Sequence, residues 1–241
     1  MDVKGQRILI VGDSLSHVGA DAAPNVVELP RGTKAAGAAP GFYLGAMLLD
    51  HGAEAVRINA KVGRSAASLL SNEGGAQLIA QDATWRPSKV IVMLGTNDTQ
   101  RDLAKTEAAM LTIANAYRES GAEVWGVGPF VYVGRGAVLN APADRVATLM
   151  QQIFGPTFID ARPLSITDAR AGDGIHFTAA SAPLQAQTIA QALLAKKTTS
   201  PKMIVHLGIG FGIALVLGLV SWGIASSHTK RRVIAATTHE S

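Results

Sequence analysis

ILIVGDSLSHVG, residues 8–19, begins with four consecutive apolar residues that run straight into Gly12-Asp13-Ser14. A half-exposed strand alternates apolar and polar side chains, whereas a strand covered on both faces of a parallel sheet reads as an unbroken apolar run. Ile8–Val11 is therefore read as an interior strand. Its small polar residues fall at the carboxyl end, the edge at which open α/β sheets bind ligands. The run is too short for the apolar core of a secretion signal.

Further strands are expected at Ala55–Ala60, Lys89–Leu94, Glu123–Val127 and Thr157–Asp160. Helical patterns lie between them. Leu103, Met110, Leu111, Ala114 and Tyr117 share one helix face, and Gly121 can end that helix. Val146, Leu149, Met150 and Ile153 repeat the pattern, as do Leu184, Ile189 and Leu193. Alternation of this kind implies an α/β fold, a doubly wound three-layer sandwich around a central parallel five-stranded sheet. Residues 19–40, rich in Ala, Gly and Pro, are expected to form a long loop over the ligand-binding edge.

Residues 203–225, MIVHLGIGFGIALVLGLVSWGIA, belong to a different solvent. Their only ionisable side chain is His206, and a helix of this length reaches roughly 34 Å, enough to cross a hydrocarbon core of about 30 Å. The chain is thus expected to comprise a domain at 1–194, a polar linker at 195–202, a transmembrane helix at 203–225 and a short basic tail at 226–241. Gly208 and Gly212 have the spacing that allows close helix contact, and with it a homo-oligomer. Lys196, Lys197 and Lys202 on one side balance Lys230, Arg231 and Arg232 on the other, so the basic residues do not orient the span. With no leader, the domain is expected to stay in the compartment of synthesis, the cytoplasmic side of a single-pass membrane anchor.

Four strand ends carry small polar residues: Gly12-Asp13-Ser14, Lys61-Val62-Gly63-Arg64-Ser65, Gly95-Thr96-Asn97-Asp98, and, after the last strand, Asp173-Gly174-Ile175-His176. A nucleophilic serine needs a base for its proton and a carboxylate to orient that base. Asp173 and His176, three residues apart in one turn, have the chemistry for this, with Ser14 as the nucleophile. The developing oxyanion needs donors, and the candidates are the Ser14 and Gly63 backbone N–H groups and the Asn97 amide.

These blocks resemble the SGNH, or GDSL-type, hydrolases, in which a GDS serine, a glycine, a G-x-N-D asparagine and a D-x-x-H pair follow one another. Here they stand as GDSLS, VGRS, LGTND and DGIHFT, over about residues 6–194. The resemblance implies Ser14 as nucleophile, His176 as base, Asp173 as its partner, and Gly63 and Asn97 in the oxyanion hole. It implies a serine esterase or lipase that passes through an acyl-enzyme and takes a small-molecule or lipid ester. Arg64 and Ala66 stand where many members carry small or acidic residues.

Each block has a plainer reading. Ser14 can cap a helix after the first strand. His17, one turn further along such a helix, is the rival base, although no carboxylate stands at an obvious spacing from it. Asp98 is expected to cap the helix at 101–119, and His51 to sit at a helix C-terminus, where its charge suits the dipole. The whole domain can also be a catalytically idle binding or structural module presented at a membrane.

Other function classes find no support in the composition. With a net charge of +4, scattered along the chain, no nucleic-acid surface is indicated. The absence of cysteine excludes disulfides and thiolate metal sites. No histidine–carboxylate spacing suggests a metal, no cofactor is expected, and no phosphate-binding glycine motif follows the first strand.

Overall fold

The computed structural model describes residues 1–18, 25–168 and 170–196. The expected span at 203–225, the basic tail, the Gly208/Gly212 pair and most of the linker lie outside the described residues. Among the described residues, no helix is long and apolar enough to cross a membrane.

Six strands form one sheet in the order β2-β3-β1-β4-β5-β6. They are β1 (Arg7–Gly12), β2 (Asn25–Leu29), β3 (Ala55–Ala60), β4 (Lys89–Met93), β5 (Glu123–Val127) and β6 (Phe158–Ile159). Strand β1 is central and parallel to both neighbours, with Ile10 level with Ile58 on β3 and Ile91 on β4. Among the described residues, six α-helices accompany the sheet: α1 (Pro40–Asp50), α2 (Ala66–Asn72), α3 (Gly75–Thr84), α4 (Leu103–Glu119), α5 (Asn140–Phe154) and α6 (Ala182–Ala195).

Successive strand residues point to opposite faces, and β1 divides its side chains accordingly. Ile8 and Ile10 join Leu44 and Leu48 of α1 and Ile189 and Leu193 of α6. Leu9 and Val11 join Leu69 of α2, Met110, Ile113 and Tyr117 of α4, and Val146 and Met150 of α5. Between them the two cores exclude water entirely from Ile8, Leu9, Ile10 and Val11, which is why this run shows no alternation.

The sheet is mixed, not purely parallel, and has one strand more than expected. Strand β2 runs antiparallel to β3 inside the segment expected to be all loop. As an edge strand it keeps Val26 and Glu28 exposed while Leu29 enters the core. Glu28 holds it in place, accepting from Arg57 of β3 at 3.0 Å and from the Trp85 indole at 2.8 Å. Two expected helix faces are also turned. Helix α4 buries Thr106, Met110, Ile113 and Tyr117 and leaves Leu103 and Leu111 more than a third exposed, and α6 leaves Leu184 about half exposed.

After β1 the chain forms β2 and β3 on one side of it, then crosses back to β4 on the other. Adjacent connections thus diverge at the carboxyl end of β1, the topological switch point at which such sheets open a crevice. Ser14, Gly63 and Asn97 follow β1, β3 and β4 at that point.

Candidate active site

No helix begins at Ser14, so the capping reading fails. Asp13 to Ser16 form a tight turn in which the Asp13 carboxylate accepts the Leu15 N–H at 2.9 Å and the Ser16 N–H reaches the Asp13 carbonyl. The start of α1 braces this turn, since the Gly41 N–H donates to the Leu15 carbonyl at 2.8 Å.

The turn after β6 brings the other partners. Ser14 Oγ lies 2.9 Å from His176 Nε2, and His176 Nδ1 lies 2.6 Å from Asp173 Oδ2. The second carboxylate oxygen, Oδ1, accepts the Ile175 and His176 backbone N–H groups at 2.8 and 3.0 Å. Partial burial would raise the Asp173 pKa, but the His176 ring and these two amides outweigh it and bring it down to about 2. A carboxylate that stays ionised can hold the imidazole in one tautomer and steady its protonated form.

Gly63 closes the turn after β3 with φ +74, a conformation that side chains with a Cβ seldom adopt. The Asn97 amide donates to the Arg64 carbonyl at 3.0 Å and leans on Asp13 Oδ2 at 3.4 Å. Burial lifts the Asp13 carboxyl to about 6 against the opposing bond from Leu15.

A cleft of about 750 Å3 opens over Ser14 and His176. Ala36, Ala38, Ala39, Phe42, Val62 and Phe177 supply its apolar surface. His17 also lines it, buried, while His176 takes the place beside Ser14 Oγ. The 36–39 stretch of the expected loop does lie at this edge. Among the described residues, no group of three or more His, Cys, Asp or Glu side chains is placed to hold a metal ion.

Residues 10–182 match the model of the GDSL-like lipase/acylhydrolase family. The chain belongs to this family. No curated protein matches the sequence. Among solved structures, the fold is similar to the acetylxylan esterase Axe2 of Geobacillus stearothermophilus, at 19% identity and TM-score 0.57, over 81% of this chain and 96% of that one. It is similar also to the aryl esterase of M. smegmatis, at 22% identity and TM-score 0.55, over 80% of this chain and 100% of that one. The esterase EstA of Pseudoalteromonas sp. is a third, at 16% identity and TM-score 0.52, over 79% of this chain and 97% of that one.

Around the site of this GDSL-family domain stand supports that the sequence reading did not assign. The Arg170 guanidinium donates to the Ile166, Ile175 and Val131 carbonyls and lies 3.6 Å from the Phe177 ring centroid, which fixes the turn carrying His176. Asp98 does not cap α4; Asp102 does, through the Lys105 N–H. Asp98 is buried and accepts the N–H of Ala66, the first residue of α2, at 3.0 Å. Burial lifts its carboxyl to about 6 against that bond. His51 does stand at the end of α1. Arg64, conspicuous in sequence only as a departure, is fully buried. No periodicity signals it, because its partners come from other elements.

Proposed function

We propose that the protein is a serine esterase of small esters, with Ser14, His176 and Asp173 as its triad. The observation that carries this reading is the unbroken Ser14–His176–Asp173 chain, at 2.9 and 2.6 Å, on the floor of an open cleft. In the mechanism it supports, Ser14 Oγ attacks the acyl carbonyl as His176 Nε2 takes its proton. The Ser14 and Gly63 N–H groups and the Asn97 amide then hold the oxyanion. His176 returns the proton to the leaving alcohol, and the acyl-enzyme is released by a water that His176 activates in turn.

The apolar cleft walls suit a short acyl or aryl ester, the class named for the Axe2 and M. smegmatis esterases of similar fold. The composition of residues 203–225 supports a membrane anchor. Labelling by a fluorophosphonate, together with hydrolysis of a short-chain soluble ester, tests the activity. Labelling that disappears in Ser14→Ala is the expected result. An unlabelled, inactive wild-type chain would instead favour the idle binding module.

A further inference from the structure

Arg64 is only 1% exposed, and its guanidinium has no access to water. Removing such a group from water is costly unless its donors are matched. Here all five N–H donors have acceptors. Nε donates to the Glu73 carboxylate at 3.2–3.3 Å, and Nη2 reaches Glu73 Oε2 at 2.8 Å and Asn59 Oδ1 at 3.1 Å. Nη1 reaches the Asn59 carbonyl at 2.7 Å and the Gly12 carbonyl at 3.2 Å.

The backbone of Arg64 is committed as well. Its N–H closes the Gly63 turn on the Lys61 carbonyl, and its carbonyl accepts Asn97 Nδ2 at 3.0 Å. One residue therefore touches all three segments that carry oxyanion donors: β1 two residues before Ser14, the turn of Gly63, and the side chain of Asn97.

From this geometry we infer that Arg64, clamped by Glu73, is the positioning residue of the oxyanion hole and acts through Asn97. The inference rests on the proposed esterase reading. A primary amide is planar, so anchoring one of its N–H groups on the Arg64 carbonyl fixes the plane and aims the other. Among the described residues, that second N–H has only the long contact to Asp13 at 3.4 Å, a partner it can exchange for a stronger, charge-assisted bond to the oxyanion. A lysine at 64 cannot replace five forked donors, and a glutamine at 73 removes the charge that holds them.

A double-mutant cycle tests this. Arg64→Lys and Glu73→Gln are each made in the wild type and in Asn97→Ala, and kcat and KM are measured on a soluble ester. In the wild type each should lower kcat by about 10- to 100-fold and leave KM within about twofold, since the oxyanion exists only beyond the ground state. In Asn97→Ala the same changes should alter kcat by less than about twofold, because the group they position is gone. Equal fold-losses in both backgrounds, or unchanged kcat in the wild type, would overturn the inference. If circular dichroism shows Arg64→Lys unfolded, Glu73→Gln carries the same cycle. A wild-type chain inactive on every ester tried would fell the esterase reading and this inference with it, whereas equal losses in an active enzyme would fell only the inference.

Discussion

The backbone N–H of Val133 donates to the Gly174 carbonyl at 3.0 Å, tying the loop after β5 to the turn that holds Asp173 and His176. Gly174 has φ +71, and a Cβ there would overlap the Val133 carbonyl oxygen. Gly174→Ala should therefore displace the turn. A shift of about 1 Å in the base is enough to cost about 100-fold in kcat. Steady-state kinetics at matched circular dichroism checks this; a full-rate Gly174→Ala enzyme would mean that the clamp does not set the position of His176.

On the proposed mechanism, Ser14→Ala and His176→Ala should each lower ester hydrolysis by up to about a million-fold, because the members of such a triad act as a unit. His17 lines the cleft without the place beside Ser14 Oγ, so His17→Ala should stay within about tenfold of wild type in kcat. Were His17→Ala the dead variant and His176→Ala active, the assignment of the base would be reversed.

Asn97→Ala should lower kcat by about 100- to 1,000-fold, the usual loss for one oxyanion donor. Thermal unfolding measured alongside separates this from a folding defect. An Asn97→Ala protein that turns over at the wild-type rate would place the oxyanion elsewhere.

Asp98 sets a pH dependence of stability. Its folded pKa, raised from 3.8 to about 6 by burial, means that the native state holds a proton the unfolded chain has released. The stabilisation is complete below about pH 4 and is lost as pH rises through about 6, amounting to at most about 3 kcal/mol. Asp13 acts in the same direction. Urea unfolding of wild type and Asp98→Asn at pH 4.5 and 7.5 should show the smaller pH difference in the variant; equal differences would remove Asp98 as the source.

The two cores close within residues 1–196, with Leu193 of α6 buried among them. A chain ending at residue 198 should fold and should hydrolyse a soluble ester at close to the full-length rate. Circular dichroism and kinetics on both forms decide this, and an aggregated short form would mean that later residues complete the domain.

By itself the sequence determined the α/β class, the interior strands, and the order of the four polar blocks. It could do so because a strand buried on both faces must be apolar along its length, which makes the polar break after Val11 or Leu94 conspicuous. It did not reveal β2, whose edge position lets half its side chains face water and whose stretch lies in an Ala-, Gly- and Pro-rich segment. The helix faces of α4 and α6 were misjudged by a fraction of a turn for a related reason: at the margin of a stripe, packing and not periodicity selects which leucine is covered. The tertiary structure alone decided that Arg64 is buried, that Asp98 serves α2, and that Val133 secures Gly174. Burial of a charge or the clamping of a turn depends on donors and acceptors from distant segments, and such pairing leaves no local pattern in the chain.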